Sequence, residues 1–253
     1  MTEEQLEQCR SQLVVKSNDL IQKTRYHLSI QQQRIILFII SKLKPDDEDF
    51  KTYEFSLYDL CDICGIEHHG QNYKNFKDSI QQLHNSAFWF ETETTEDFIY
   101  WVTDVHIDKI TKVVTLRLDP RLRPYLLNLR ERFTCYEYGT ILQMESKYSY
   151  RIYELLKSYS NLGVVQFNLK NFKEALEITT EYSDYRNFKR IVIDKSLDEI
   201  NKYTDLDVSF LPIKTGRKVT ALSFQMILKN DIEIAKLRLN REHDLNSKGK
   251  KKV

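Results

Sequence analysis

Glycine and proline are scarce in this chain: six Gly and four Pro among 253 residues leave little room for long flexible linkers. No apolar run approaches the length that crosses a bilayer, and the best one, residues 35–40, has the length of a helix core. The first twelve residues are acidic and polar, so no secretory signal is expected. Four cysteines without a dense spacing pattern favour a reducing compartment. We therefore expect a globular protein of the cytoplasm.

A large excess of positive charge is absent as well, since the net charge is only +1, which taken alone argues against a nucleic-acid partner. The balance hides a local asymmetry. Residues 236–253 carry seven Lys or Arg against two acids, and we expect this basic tail to be disordered. Residues 1–13 form an acidic arm. The positions of the basic residues therefore matter more than their total.

The motifs of enzymes are missing too: the chain has no G-x-S-x-G, no Walker lysine loop and no H-E-x-x-H. A nicking replication enzyme would need two metal-binding histidines separated by one hydrophobic residue, together with a nucleophilic tyrosine. His68 and His69 are adjacent instead, and among fifteen tyrosines no single one stands out. We expect no enzymatic activity and no cofactor.

Two of the cysteines, Cys61 and Cys64, form a C-x-x-C pair with His68 and His69 just beyond, which suggests a zinc site. All four ligands would come from one short stretch, however, instead of from two loops that converge on the metal. In the repeat described next, Cys64 aligns with Leu176, an apolar core position. We therefore interpret the cysteines as small buried hydrophobic residues and expect no metal.

An internal repeat is visible when the chain is compared with itself. The stretch YKNFK recurs as YRNFK at an offset of 112 residues, and YEFSLYDLCDICGI recurs as VQFNLKNFKEALEI at the same offset. Upstream, SIQQQRIILFIISKL matches SKYSYRIYELLKSY at an offset of 117. The matching pairs are 73–77 with 185–189, 53–66 with 165–178, and 29–43 with 146–159. A shift of five residues in one connecting loop is typical of divergent duplicates, so the chain contains two copies of one domain.

Each copy has the element order of a winged helix: a helix, a strand, a short helix, a second helix and a β-hairpin. Ser56 and Asn168 offer N-caps for the short helices. The predicted hairpin strands are 87–92, 98–107 and 112–118 in the first copy, and 206–211 and 218–227 in the second. We predict an α+β protein of two tandem winged-helix domains related by internal duplication. The expected bounds are an acidic arm at 1–13, domain 1 at 14–129, domain 2 at 130–232 and the tail at 233–253.

The second helix of a helix-turn-helix pair enters the DNA major groove, so its outward face is the candidate reader of bases. Basic residues come early in this helix of the second copy and acids come late, which opposes the helix macrodipole at a cost of about 0.3–1 kcal/mol. Phosphate contacts would compensate; a solvated face with ordinary charges is the alternative. The predicted inward stripe is Phe188, Val192, Ser196, Ile200 and Tyr203. The predicted DNA-binding residues are Tyr185, Arg186, Asn187, Lys189, Arg190, Ile191, Asp194 and Lys195.

The side chains of this helix suit specific base edges. Arg can pair with guanine and Asn with adenine, each worth about 1–3 kcal/mol of discrimination, and Ile191 can meet a thymine methyl group. Lys214, Arg217 and Lys218 cluster at a hairpin tip, where they can grip phosphate or a minor groove. On the helix that opens the second copy, Lys147 and Arg151 can add backbone contacts. Arg151 has an alternative, an internal ion pair equivalent to one made by its repeat mate Arg34.

The first copy is less basic, so we expect it to be a weaker reader of DNA, through Lys74, Asn75 and Lys77. Its strands carry many aromatic residues, and because alternate strand residues face outward, some of them can mark a protein-binding surface. They can equally belong to the core. The aromatic residues in question are Phe88, Trp89, Phe90, Tyr100 and Trp101.

The stretches SKYSYRIYELLKSY, VVQFNLKNFKEAL, YRNFKRIVIDKSLDEINKYTDLDV and KTGRKVTALSF resemble the iteron-binding plasmid replication initiators, the Rep proteins with twin winged helices. In the first copy, LIQKTRYHLSIQQQRIILFII is typical of the family's opening, and the resemblance covers about 14–230. The family often has a further basic residue where this chain has Ile191, so the base contacts there differ.

The resemblance implies that both winged helices bind direct repeats (iterons) in double-stranded DNA, with the second domain dominant. It also implies that monomers open the origin and recruit a host helicase or primase, while homodimers formed through domain 1 repress the protein's own gene. The protein would then be bacterial and associated with the nucleoid or the plasmid, with no membrane partner. A winged-helix transcription regulator is the first alternative, and a rolling-circle nicking enzyme is a distant second.

Overall fold

The protein divides into two compact units, Met1–Leu142 and Gln143–Val253, in a computed structural model that describes residues 2–26, 28–66, 70–91 and 94–250. Within these ranges no helix combines the length and the apolar character that crossing a membrane requires. Among the described residues, the first unit contains three small sheets and the second unit contains one, and each unit has its own buried core, as two tandem domains should.

The first unit begins with elements that precede its winged helix. A capping box starts the first helix, because the Thr2 hydroxyl accepts a hydrogen bond from Gln5 N while Gln5 Oε1 accepts one from Thr2 N. The Arg10 side chain then ties this helix to the short helix of the domain by donating to Asp62 O at 2.9 Å. The opening elements are α1 (Glu3–Arg10), β1 (Leu13–Ser17), α2 (Asn18–Lys23) and β2 (Thr24–Arg25).

The winged helix of the first unit is built on a helix that is apolar on nearly all sides and almost fully buried. This helix begins with a capping box formed by Ser29 and Gln32, and Ser56 caps the next helix as predicted. The elements of this part are the helix α3 (Ile30–Ser41), the strand β3 (Tyr53–Ser56) and the helices α4 (Leu57–Cys64) and α5 (Gly70–Leu83).

Two antiparallel hairpins follow in the first unit. The pair β4 (Ala87–Glu91) and β5 (Glu96–Tyr100) extends β2 in the order β2-β4-β5, and the pair β6 (Val102–Ile107) and β7 (Val113–Leu118) joins β3 in the order β3-β7-β6. The sequence predicted one strand over 98–107, and this was wrong. The chain turns from one hairpin into the other at Trp101, whose ring is 1% exposed and packs edge-on against Tyr26 at 5.0 Å.

The first unit closes with a segment whose second half, from residue 130 on, was predicted to belong to the second domain. A 3-10 turn at Pro120–Leu122 leads into α6 (Arg123–Leu126), β8 (Phe133–Glu137) and α7 (Tyr138–Ile141). Strand β8 pairs with β1 over its whole length, from Leu13 opposite Glu137 to Ser17 opposite Phe133. Because this ladder holds residues 130–142 to the start of the chain, the boundary falls after Leu142, thirteen residues later than predicted.

The second unit repeats the winged-helix order without the extra hairpin. Its elements are α8 (Lys147–Lys157), a 3-10 turn at Ser160–Leu162, β9 (Val164–Asn168), α9 (Leu169–Ala175), α10 (Tyr185–Phe188), a π-helical segment (Lys189–Asp194), α11 (Lys195–Tyr203), β10 (Leu206–Thr215), β11 (Lys218–Leu228) and α12 (Asp231–Lys250). The sheet order is β10-β11-β9, which matches β6-β7-β3 of the first unit.

The last helix corrects a third prediction, because residues 233–250 are helical where a disordered tail was expected. Asn230 caps this helix: its side chain accepts hydrogen bonds from Ile232 N and Glu233 N, while Glu233 Oε2 accepts one from Asn230 N. A capping box followed by a run of good helix formers outweighs the basic composition on which the prediction rested.

The duplication is visible in matching contacts as well as in matching elements. Phe76 and Phe188 occupy equivalent helical positions and both are fully buried. In each unit an arginine of the opening helix donates to the carbonyl that ends the next short helix. Arg34 Nη1 donates to Cys64 O at 3.0 Å, and Arg151 Nε donates to Ala175 O at 3.3 Å.

Candidate nucleic-acid interface

The candidate reading element of the second unit is one continuous helix made of α10, the π-helical segment and α11, which we call the recognition helix. Asp184 caps it by accepting hydrogen bonds from Arg186 N and Asn187 N at 3.3 Å. Phe188, Val192, Ser196 and Ile200 are fully buried, so the predicted inward stripe is present, with Tyr203 half-buried at its end. The opposite face is therefore turned to solvent.

That outer face carries the base-reading candidates. Arg186, Asn187, Arg190 and Lys195 are exposed, and Ile191 is half-buried beside them. In the part of the chain that the structure describes, neither Arg186 nor Arg190 makes an ion pair. Two unpaired guanidinium groups on an exposed helical face have the donor geometry that suits phosphate or the O6 and N7 atoms of guanine.

Lys189 differs from these residues because it is already engaged. Its ammonium group donates to both carboxylate oxygens of Asp194, at 2.7 and 2.8 Å, and lies 5.3 Å from the centre of the Phe210 ring. Tyr185 is half-buried next to this pair; burial, and then the charge of Asp194, raise the pKa of its hydroxyl. Lys189 and Asp194 therefore lie on the same side of the helix and form a closed pair in the chain without DNA.

The wing of the second unit is the β10–β11 hairpin. Thr215 pairs with Lys218, so the loop contains only Gly216 and Arg217. Gly216 has a φ of +62°, a left-handed conformation that a two-residue hairpin turn requires and that a side chain would strain. Lys214, Arg217 and Lys218 are all exposed at this tip. The turn thus presents three cations in a compact group, the arrangement that the sequence predicted.

The two candidates on α8 are placed less favourably. Lys147 is half-buried, and its ammonium group lies 5.0 Å from the centre of the Tyr148 ring. Arg151 is only 4% exposed and donates to Ala175 O inside the unit. A buried guanidinium that holds the end of α9 is turned away from solvent, which contradicts the prediction of a DNA contact for Arg151. It donates to a backbone carbonyl, as Arg34 does, where the sequence alternative named an ion pair.

In the first unit, α5 occupies the place of the recognition helix and is less rich in free cations. Lys74 and Asn75 are exposed and Lys77 is half-buried. The Asn75 amide oxygen accepts a hydrogen bond from Gln71 Nε2 at 2.6 Å, which occupies one of the groups that would read adenine. The ranking of the two domains as DNA readers therefore stays a prediction.

The wing of the first unit is the β6–β7 hairpin, whose strands were predicted but whose loop residues were not among the predicted DNA contacts. Its loop presents Ile110, which is 92% exposed, between Lys109 and Lys112. Asp108 fixes the loop by accepting hydrogen bonds from Thr111 N and Ile110 N, and these bonds lower the pKa of its carboxyl group. The repeat alignment would have revealed this loop if it had been extended past the second helix to the hairpins.

The aromatic residues in the strands of the first unit fall into a buried group and an exposed group, because alternate residues of a strand face opposite sides of the sheet. Phe88, Phe90 and Trp101 are buried in the core. Trp89 is 57% exposed and Tyr100 36%, and the structure adds Phe98 at 42%. The Trp89 and Phe98 rings lie 5.1 Å apart, and the Phe98 and Tyr100 rings 5.5 Å apart. These three residues form the aromatic patch of the β4–β5 hairpin. The core alternative holds for Phe88, Phe90 and Trp101, and the exposed patch is a candidate for the protein-binding surface.

Cys61 and Cys64 are fully buried in α4, and burial raises the pKa of the Cys61 thiol to about 12 and that of Cys64 to about 11. The Cys64 Sγ atom lies 3.5 Å from the Tyr138 hydroxyl. His68 and His69 lie outside the described residues. Two protonated thiols packed in a core fit the interpretation of these cysteines as small hydrophobic residues.

Comparison with known proteins identifies both units. A family model described as "Initiator Replication protein, WH1" matches residues 13–157, and one described as "Initiator Rep protein, WH2" matches residues 168–226. The "Replication initiation protein" of Escherichia coli is 22% identical over 234 residues, which are 88% of this chain and 72% of that protein. The "PI protein" of Escherichia coli is 28% identical over 136 residues, 47% of this chain. That match spans 45% of the PI protein, less than half of its length.

A solved structure shares the fold. The "Pi initiator protein in complex with iteron DNA" superimposes with a TM-score of 0.71 at 19% sequence identity, covering 88% of this chain and 99% of that one. At this level of identity the match supports the architecture of two winged-helix domains, WH1 and WH2, that the sequence predicted and the coordinates contain.

Proposed function

The chain belongs to the initiator replication protein family, and we propose from this premise that it starts plasmid replication by binding repeated origin sequences in double-stranded DNA. The family resemblance seen in the sequence is thereby confirmed. On this proposal the second unit is the main reader of each repeat and the first unit adds secondary contacts. Catalysis, a metal and a cofactor have no role in this function.

The observation that carries the proposal is the combination of an exposed basic helix face with a basic hairpin tip in the second unit. Arg186 and Arg190 present unpaired guanidinium groups, and Lys214, Arg217 and Lys218 present three more cations on the wing. A winged helix uses these two elements together, the helix in the major groove and the wing on the backbone or in the minor groove. The Pi initiator, which shares the fold, was crystallised with iteron DNA.

The proposal predicts a footprint on the DNA that flanks the protein's own gene. Purified full-length protein should protect directly repeated sites of about two helical turns each, because two linked winged helices can follow one face of the duplex over that distance. DNase I footprinting on the flanking region gives the measurement. A single isolated site, or protection without any repeated sequence, would argue instead for a winged-helix regulator without a role in replication.

The remaining activities follow from an initiator's position at an origin. We expect bound monomers to destabilise the adjacent duplex and to recruit a host helicase or primase, and dimers to repress the gene. Permanganate reactivity of unpaired thymines next to the repeats distinguishes an initiator from a simple regulator. A covalent tyrosine–DNA adduct formed with a divalent metal would identify a rolling-circle nickase. All these activities would take place in the bacterial cytoplasm, at the nucleoid or the plasmid.

We further propose that the homodimer forms through the aromatic patch of Trp89, Phe98 and Tyr100 in the first unit. The backbone edge beside this patch is already occupied: Tyr100 N donates to Asp119 Oδ2 at 3.3 Å, and Arg121 Nη1 donates to Phe98 O at 2.6 Å. A second copy therefore meets the exposed rings, and not the unpaired edge of a strand. Exposed aromatic residues in a cluster are typical anchors of protein interfaces.

Replacing Phe98 with Asp should weaken the dimer about 100-fold, because a charge then replaces a central apolar anchor. Sedimentation equilibrium of the full chain over a range of concentrations measures the dissociation constant. Ile110→Asp is the matched control, since Ile110 is even more exposed and lies on the other hairpin of the same unit. If both substitutions weakened the dimer equally, the interface would not lie on the β4–β5 hairpin.

A further inference from the structure

The recognition helix contains a helical irregularity that pairs two of its own charged residues. In a regular α-helix, residues five apart point about 140° away from each other, so Lys189 and Asp194 would not meet. Between these residues the helix takes up π-helical hydrogen bonding, in which residue i bonds to residue i+5. The wider turn places Lys189 directly over Asp194, and its ammonium group bonds both carboxylate oxygens.

The surroundings of the pair hold it closed without burying it. The side chain of Lys189 is 42% exposed and that of Asp194 is 38% exposed. Phe210 on β10 lies 5.3 Å from the lysine ammonium group, and the half-buried Tyr185, nine residues before Asp194, is near enough for the aspartate charge to help raise the pKa of its hydroxyl after the larger effect of burial. Both charges remain within reach of a ligand that approaches the helix. The pair is therefore placed to open if that ligand offers each partner a better contact.

The position of Asp194 is costly for a surface that binds DNA. The exposed cations Arg186, Arg190 and Lys195 belong to the same helix, and Asp194 is the acid that lies between Arg190 and Lys195 in the sequence. Its carboxylate cancels the charge of Lys189 and repels phosphates, which lowers the affinity for any duplex. In the major groove, however, a carboxylate can accept a hydrogen bond from a base amino group, above all the N4 group of cytosine. Such a residue lowers the affinity for every duplex, and it recovers the lost binding energy only where it meets the correct base.

We propose that Asp194 is a specificity-determining residue and that the Lys189–Asp194 pair is its closed, non-reading state. The inference rests on the proposed function of the second unit as a reader of repeated DNA. On noncognate DNA the pair stays closed and this part of the helix contributes no net charge. At the cognate repeat the pair opens, Asp194 accepts a base amino group, and Lys189 moves to a phosphate or a guanine.

The test compares the binding of two duplexes by the full chain, one with the repeat found by footprinting and one with the same bases in scrambled order. Asp194→Asn frees Lys189, so affinity for the scrambled duplex should rise about tenfold, and the slope of log K against log salt should steepen by about one. Affinity for the repeat should stay constant or fall, because the base contact is weakened. The ratio of the two affinities therefore drops at least tenfold.

Asp198→Asn is the matched control, since Asp198 is an exposed acid of the same helix one turn further on. It should raise both affinities by a similar small factor and leave their ratio unchanged. Lys189→Gln provides a second test, independent of the first: it leaves Asp194 unpaired, so binding to the scrambled duplex should weaken. Thermal melting of each variant verifies that it is folded.

Two outcomes are clearly separate. If Asp194→Asn and Asp198→Asn change both affinities by the same factor, Asp194 contributes only its charge and the inference is wrong. If the unmodified chain binds the repeat and the scrambled duplex equally well, the proposed function fails first, before any variant is compared.

Discussion

Replacing Arg186 and Arg190 together with Ala is expected to weaken binding of the origin repeat by about 100-fold. Both guanidinium groups are exposed on the recognition helix, and neither is committed to an ion pair in the described part of the chain. Each good contact between Arg and guanine is worth about 1–3 kcal/mol, and 1.4 kcal/mol corresponds to a factor of ten. Fluorescence anisotropy with a labelled single repeat measures the loss.

The control for this double substitution is Lys74→Ala with Lys77→Ala, which removes the same number of charges from α5, the equivalent helix of the first unit. We expect a loss of less than about tenfold, since that helix offers few free cations and Asn75 is already engaged with Gln71. Losses of the same size in both double variants would contradict the ranking of the two units. A still larger loss from the α5 variant would reverse it.

The second large effect concerns salt. Six exposed cations of the second unit are placed to meet phosphate: Arg186, Arg190, Lys195, Lys214, Arg217 and Lys218. Contacts of this number release enough counterions that affinity should fall about 1000-fold between 50 and 200 mM salt. Titrations of the repeat at four or more salt concentrations give the slope.

Variants of the wing show how much of this salt dependence comes from the wing and how much from the recognition helix. Replacing Lys214, Arg217 and Lys218 with Gln should reduce the slope of log K against log salt by about three, while the preference for the repeat over a scrambled duplex is retained. A slope that is unchanged in this triple variant would mean that the wing does not contact the phosphate backbone. A lost preference would mean that it reads bases.

Much of the architecture could be predicted from the sequence because the chain contains an internal repeat, so each copy could be compared with the other. The match of Phe76 to Phe188 at a fixed offset identified two equivalent helices, and both residues are fully buried. Residues three or four apart lie on the same side of a helix, so the buried residues of the recognition helix could be predicted from their spacing. The two-residue loop at Gly216 was similarly predictable, since few residues other than Gly tolerate its conformation.

What could not be predicted depends on long-range pairing or on a local change of helical pitch. No local pattern indicates that the strand Phe133–Glu137 returns to pair with the start of the chain, so the domain boundary was placed too early. Trp101 looked like one more strand residue, but it is the buried corner between two hairpins. The contact of Lys189 with Asp194 involves a π-helical turn, and a prediction that assumes 3.6 residues per turn does not place these two residues together.

The side chains of Asp119 and Arg121 have a consequence for the solution behaviour of the first unit. An outer strand rich in Phe and Tyr is a common starting point for fibrous aggregation, since further chains can add to its open row of amides and carbonyls. Here a carboxylate and a guanidinium, themselves bonded to each other, occupy that row at Tyr100 and Phe98. Because these two side chains block the strand edge, association through the exposed rings can stop at a dimer. A chain that lacked the Asp119 and Arg121 side chains would expose that edge to strand addition by further molecules.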